Sequence, residues 1–409
     1  MWEYKKVEKC RACGSKELVM YLDLGRRPLS NALIKPERKD DKEKTFPLEV
    51  LYCKNCSLSQ LSVVVNPEIL FADYVYHSSI SETFRKHCEE LAAEFTKKLK
   101  LGSKDLVVDI ASNDGCLLKE FKKSGIKVLG IEPAENLKKE AEQAGIPTEA
   151  EFWNAEAAEK ITEKHGKASL ITAQNVFAHV DDINSFVKGA GTLLKDEGRL
   201  VIECPYLADL IKKKEFDTVY HEHLSYFLIK PIKVVLENNG FAIENITKLP
   251  IHGGSVRITA KKAGTEGEEA KRFLETERKE GLHSEETYRR FSDEVKQLKE
   301  KLVKTLAELK KQGKKIAGYG ASAKGAILAD YCMIGSMIDY VVDDTPSKQG
   351  KLMPGSRIPI VPNSKLKEET PDYLILLAWN FAEELMKKTE WFSKKGGKYI
   401  IPLPEVRII

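Results

Sequence analysis

Short apolar runs separated by amphipathic, Lys- and Glu-rich stretches dominate the middle of the chain. Between Asp105 and Glu203 these runs are "DLVVDIA", "KVLGIEP", "ASLITAQ" and "RLVIECP". Runs of that length read as buried strands, and their alternation with helical stretches predicts a parallel sheet covered by helices. The rhythm breaks over 206–262, where aromatic and His-bearing segments precede the strand-like "GGSVRITA". From Gly267 to Gln312 the sequence is highly charged with helical periodicity, which predicts two helices meeting near Gly281. A second α/β unit follows: "KIAGYGA", a helix through Tyr331, "IDYVVDD", "DYLILLAW" and "KYIIPLP".

Residues 1–70 stand apart as a Cys-containing module with short strands. The pattern therefore divides the chain into that module, an α/β domain over 71–205, a connecting segment over 206–312 and a C-terminal α/β domain over 313–409. A length of 409 residues, with 42% hydrophobic and 31% charged positions, suits such a multidomain globular protein.

The 66 basic and 62 acidic residues leave a net charge of only +4. That balance argues against a nucleic-acid partner, which shows itself as a concentrated basic patch. The opening "MWEYKKVEKC" lacks the apolar core of a signal peptide, and no apolar run approaches the ~18 residues of a membrane span. A cytoplasmic protein with no membrane partner is expected. Cys88, Cys116, Cys204 and Cys332 are scattered like reduced core residues, in keeping with that compartment.

Cys10-x-x-Cys13 followed by Gly14, and Cys53-x-x-Cys56, offer four thiolates at the spacing of two zinc knuckles. Four sulfurs leave no open position, so a zinc ion there is structural. Disulfides, or a nucleic-acid-binding zinc ribbon, are the competing readings.

"VVDIASNDGCLL" reads as a strand ending at Asp109, a turn carrying Ser112, Asn113 and Gly115, and a helix beginning near Cys116. Small residues there let a ligand approach the helix N-terminus. The next strand ends at Glu132, where a carboxylate can accept bonds from ribose hydroxyls. The turn is not GxGxxG, which suits a ligand without phosphates, such as S-adenosylmethionine. "AQNVFAHV" brings Gln174, Asn175 and His179 to the same carboxyl edge of the sheet. In the second α/β unit "GYGASAKGAIL" presents Gly320, Ser322 and Lys324 as a phosphate cradle, with Asp343 and Asp344 ending the following strand. A nicotinamide dinucleotide site and a plain fold turn are alternatives for that loop.

Three polar clusters remain: "FADYVYHSS" with Tyr74, Tyr76, His77 and Ser79; "VYHEHLSYF" with Tyr220, His221, Glu222 and His223; and "IHGGSVR" with His252, Ser255 and Arg257. From residue types alone the second is a metal site, a proton-transfer site or a polar strand end. His87, His165 and His283 sit on charged helices and read as surface.

Taken together, "CRACGS…DLGRRPLSNAL…PLEVLYCKNCSLSQL", "LFADYVYHSSIS", "DIASNDGCLL", "NVFAHV", "YHEHLSYF", "HGGSVR" and "GYGASAKG…DDTPSKQG…MPG" resemble the sugar C-methyltransferases that act on nucleotide-activated keto-deoxysugars. The resemblance runs nearly end to end. It implies a small zinc-binding N-terminal domain, a central Rossmann-like S-adenosylmethionine domain and a C-terminal Rossmann-like α/β domain, with the nucleotide sugar between them. It singles out Tyr220, Glu222 and His223 as the catalytic set, with His179 and a tyrosine of the DYxY segment, taken as Tyr76 with Tyr74 the alternative, and brings Lys324 toward the nucleotide diphosphate. His221 is left as a structural neighbour.

The implied cofactor is S-adenosylmethionine, bound by Asp109, Ser112, Asn113, Gly115, Glu132, Gln174 and Asn175. The implied substrate is a dTDP-linked keto-sugar, met by Ser79, His252, Ser255, Arg257, Gly320, Ser322, Lys324 and Asp344. A monomer is expected. A sugar carbon is not nucleophilic unless a neighbouring carbonyl acidifies its C–H, so the substrate should be a keto-sugar deprotonated beside the ketone, typically at C3. O- or N-methylation, nicotinamide-dependent oxidoreduction and nucleic-acid binding are the rival activities.

Overall fold

The computed structural model describes residues 2–71, 78–80 and 82–409, with the side chains of residues 71, 80 and 252 left aside. Its N-terminal module contains five strands: β1 (Tyr4–Lys6), β2 (Leu18–Arg27), β3 (Phe46–Cys53), β4 (Ser59–Leu61) and β5 (Val63–Val65). Period-two patterning builds β3, which buries Phe46, Leu48, Val50 and Tyr52 while the intervening side chains stay partly exposed. β2, β3 and β4 pair antiparallel, and β1 pairs with β5.

The chain then enters a helix, Glu82–Leu99, that buries Phe84, Cys88, Leu91 and Phe95 against Leu117, Leu118 and Phe121. His87 is buried on this helix and bonds Glu203 at 2.7 Å. The surface reading of that histidine is therefore corrected: helical periodicity puts it on the same face as Phe84 and Leu91. His165 is exposed, and His283 is partly buried against Glu277.

The central sheet is laid down by β6 (Leu106–Ile110), β7 (Lys127–Ile131), β8 (Thr148–Glu149), β9 (Ala168–Gln174) and β10 (Leu194–Pro205). After a short excursion through β11 (Ser225–Tyr226), it is completed by β12 (Phe241–Leu249) and β13 (Ser255–Lys262). The order is β12-β13-β10-β9-β6-β7-β8. β6 to β10 run parallel, and β13 lies antiparallel to both of its neighbours. The chain leaves β6 outward on one side and returns to β9 on the other, so a topological switch point opens between their carboxyl ends. The central sheet thus continues past residue 205, because β12 and β13 lie in the segment whose sequence breaks the alternating rhythm.

β11 does something else. It joins β4, so the N-terminal sheet reads β11-β4-β3-β2.

Helices Glu268–Lys279 and Glu285–Lys311 meet where Gly281 adopts φ +68°, as the periodicity predicts. The second buries Tyr288, Phe291, Val295, Leu298, Leu302 and Leu306 along one stripe. The C-terminal sheet contains β14 (Ile316–Tyr319), β15 (Val341–Val342), β16 (Ile360–Val361), β17 (Tyr373–Leu376), β18 (Lys398–Ile401) and β19 (Arg407–Ile408), in the order β16-β15-β14-β17-β18-β19. Only β19 is antiparallel. A second switch point lies between β14 and β17. Among the described residues no helix is long and apolar enough to cross a membrane.

Candidate active site

The Sγ atoms of Cys10, Cys13, Cys53 and Cys56 lie within 4.8 Å of one another. The two turns are built alike. Gly14 N donates to Cys10 O and Ser57 N to Cys53 O, both at 2.9 Å. Gly14 and Ser57 take φ values of +72° and +67°. That shared geometry aims two pairs of sulfurs at one point, and the donor set fits a closed tetrahedral thiolate site. Folding brings the knuckles together because β2 and β3 pair between them.

The polar stretch after Val219 hangs from the same module. His223 is partly buried, and its Nδ1 lies 2.9 Å from the Thr218 carbonyl oxygen. A carbonyl only accepts, so Nδ1 carries the hydrogen and Nε2 carries the basic lone pair. The His223 ring stands 4.0 Å from Tyr220 and 5.0 Å from His179, centroid to centroid. Burial pushes the His179 pKa down to about 4, which keeps that imidazole neutral.

Glu222 is buried, and this raises its pKa to about 7, against the bond that Asn31 Nδ2 donates to its Oε1 at 2.6 Å. His221 is fully buried with its ring edge to Phe46 at 5.8 Å, and burial lowers its pKa to about 4. Tyr76, with Tyr74 and His77, lies outside the described residues.

At the central switch point Asn113 and Asn175 both adopt φ +53° at the ends of β6 and β9. Asn113 N donates to Glu132 Oε2 at 2.9 Å, and Ala134 N donates to Glu132 Oε1 at 2.9 Å. Each oxygen keeps a further lone pair for a ribose hydroxyl. Asp109 is buried, accepts from Thr172 Oγ1 at 2.6 Å and has its pKa raised by that burial to about 7. Ser112 Oγ and Asn175 Oδ1 are buried without a hydrogen-bond partner among the described residues. A β-carbon on Gly130 would meet Ser112 Oγ, so the glycine opens the crevice floor. Two orphaned polar atoms, a carboxylate at the strand end and a left-handed turn fit a polar ligand such as S-adenosylmethionine. Gln174 Nε2 reaches Glu203 at 3.4 Å.

The residues expected on a substrate are spread over three places. Ser79 lies against the β6 turn, its N–H donating to Asp114 Oδ2 at 3.0 Å. Arg257 is buried and bonds Glu203 at 2.5 Å and Glu94 at 2.7 Å. Ser255 Oγ donates to Ile251 O at 3.2 Å, and the His252 side chain lies outside the described ones. On the C-terminal sheet Gly320 takes φ +96°, and Ser322 Oγ accepts from Gly325 N at 3.1 Å, capping the helix Ala323–Tyr331. Lys324 Nζ meets Glu215 at 3.2 Å and sits 5.5 Å from the Trp379 ring. Asp344 accepts from Tyr319 OH at 3.4 Å. The lysine thus faces the segment leading into the histidine loop across the seam between the sheets.

Reasoning from sequence missed Asn31 and Arg11. Asn31 sits in "PLSNAL", inside a motif already recognised, yet nothing local pairs it with Glu222.

Three family models match in succession. Residues 10–71 match a family described as a candidate zinc binding domain, residues 81–246 a methyltransferase domain, and residues 250–404 a C-methyltransferase C-terminal domain. The C-methyltransferase NovU of Streptomyces niveus is 35% identical over 409 residues, spanning 99% of this chain and 97% of that protein. A ubiquinone biosynthesis O-methyltransferase of Bartonella bacilliformis is 28% identical over 100 residues, covering 24% of this chain and 39% of that one. Magnesium protoporphyrin IX methyltransferase from Synechocystis, solved with bound S-adenosylmethionine, superposes with a TM-score of 0.34 at 16% identity, over 44% of this chain and 79% of that one. The end-to-end match to one relative, with three family models matching in succession, places this chain in the family of C-methyltransferases.

Proposed function

We propose that the chain methylates a nucleotide-diphosphate keto-deoxysugar, dTDP-linked, at the carbon beside the ketone, C3. The observation that carries this reading is the His223 tautomer. Its Nδ1–H is spent on the Thr218 carbonyl, so Nε2 is the basic nitrogen of a ring packed against Tyr220 and His179. Methylation at oxygen or nitrogen passes through no enolate, whereas a carbon acid needs a base together with donors to the enolate oxygen.

Bound in the crevice between β6 and β9, S-adenosylmethionine supplies a methyl group on a sulfonium. Asp109, Ser112, Asn113, Gly115, Glu132, Gln174 and Asn175 would hold it. His223 removes the proton alpha to the ketone, the role for which an imidazole near neutral pKa is suited. His179, held neutral by burial, donates to the enolate oxygen, together with Tyr220 and Tyr76. Glu222 orients or polarises His223. Lys324, with Gly320 and Ser322, faces the nucleotide diphosphate, and Ser79, His252, Ser255, Arg257 and Asp344 complete the substrate set.

Zinc on the four cysteines holds the N-terminal domain of 1–70. The methyltransferase domain of 71–205, the connecting segment of 206–312 and the C-terminal domain of 313–409 follow, in a cytoplasmic monomer. The experiment is mass spectrometry and NMR of products formed from S-adenosylmethionine and a panel of dTDP-, CDP- and GDP-linked keto-sugars. The expected product carries one new C-methyl group beside the ketone. An O-methyl product, or none from any keto-sugar, contradicts the reading.

A further inference from the structure

Arg11 lies inside the first cysteine turn, yet its contacts lead to the histidine loop. Its guanidinium is 3% exposed, and its Nε donates to Asp181 Oδ1 at 3.2 Å. Its Nη1 donates to Leu61 O at 3.3 Å and to Leu224 O at 3.2 Å. Asp181 follows His179 by two positions, and Leu224 follows His223 directly. One planar cation therefore grips both backbone segments that carry the two rings. The main chain adds a second grip: Asn184 Nδ2 donates to Arg11 O at 2.8 Å and to Ala12 O at 3.2 Å. Arg11 N donates to Gln60 Oε1 at 2.9 Å, and Gln60 stands opposite Ser225 in the β4–β11 pairing.

We infer that Arg11 is a positioning residue that sets the spacing of His179 and His223. The inference rests on the reading that these two histidines do the chemistry. The alternative is an interdomain ion pair that only adds stability, and energetics argue against it. A buried guanidinium carries a large desolvation cost, which apolar packing at the same seam would avoid. This one is also incompletely satisfied, because Nη2 has no hydrogen-bond partner among the described residues. The rigid fork is needed for reach: three acceptors on separate segments are met by donors fixed in one plane, a geometry that lysine cannot reproduce.

The test is Arg11→Lys in protein labelled with ¹⁵N-histidine, with metal content, S-adenosylmethionine affinity and turnover measured on the same preparation. The expected variant keeps its metal and its cofactor affinity, loses kcat by about 100-fold through misplacement of the base, and loses the Nδ1–H tautomer signature of His223. A metal-replete Arg11→Lys protein with wild-type histidine signals and kcat within about twofold of wild type, well short of that loss, overturns the inference. If that variant fails to fold, Asp181→Ala removes the acceptor of Arg11 Nε from its partly exposed end and is judged by the same readouts. Histidine signals need no substrate. Shifted signals in a protein that methylates no keto-sugar would leave the positioning role standing and remove the proposed function; unchanged signals in an active enzyme would do the reverse.

Discussion

Asn31 of the cysteine module donates from Nδ2 to Glu222 Oε1 at 2.6 Å, across the seam between the N-terminal sheet and the histidine loop. Burial drives the Glu222 pKa up to about 7, and this bond opposes the rise by favouring the ionised form. Asn31→Ala should lift that pKa further and move the acidic limb of the kcat/KM profile upward by roughly one unit. A profile unchanged in the variant would separate Glu222 from the rate.

His221 lends itself to a stability measurement. Burial sets its folded pKa at about 4, below the ordinary histidine value of 6.5. The unfolded chain therefore binds more protons between those two values, and stability is lost as pH falls from 6.5 toward 4. His221→Phe removes this loss, so the variant should gain on the wild type by about 3 kcal/mol between pH 7 and pH 4. Urea unfolding at the two pH values measures the difference. An equal pH dependence in both proteins would mean that His221 is protonated as readily folded as unfolded.

Metal removal should reach the active site as well as the fold. The strand that follows His223 pairs with β4 of the cysteine module, and Leu61 N bonds Leu224 O at 3.0 Å. Cys53→Ser should lose bound zinc and stability on the order of 5 kcal/mol or more, with activity lost in parallel. Elemental analysis and a thermal melt on one sample check this. A metal-free variant with wild-type melting would make the cysteines ordinary core thiols.

Lys324 holds a buried acid. Its Nζ is 3.2 Å from Glu215, whose side chain is 4% exposed. Lys324→Met should destabilise by about 3 kcal/mol, because the carboxylate is left without its cation. Adding Glu215→Gln should recover part of the loss, since the two positions share one interaction. Additive losses in chemical denaturation would show that the pair is not coupled.

The sheets and the cysteine pairs were legible because their signals are local. Period-two burial in β3, apolar runs at β6, β7, β9 and β10, and two short-spaced Cys pairs each speak within a few residues. His87 misled for the same reason: its neighbours in sequence are charged, while Glu203, its partner, arrives from β10. Arg11 and Asn31 could not be read at all, since their partners Asp181, Leu224 and Glu222 lie far along the chain and meet them only after the sheets assemble. Arg257, in the motif "HGGSVR", bonds Glu203 and Glu94, partners that its local sequence does not announce. Motif adjacency reports what is near in sequence, and the seam joins what is distant.

The central claim is that His223 is the base. The direct measurement is loss of the proton alpha to the ketone of a dTDP-keto-sugar in deuterated water, followed by NMR without methyl transfer. Wild-type protein should exchange that proton, and His223→Ala should slow the exchange by at least about 100-fold while nucleotide-sugar binding is retained. Exchange at the wild-type rate in His223→Ala would contradict the account and pass the base role to His179.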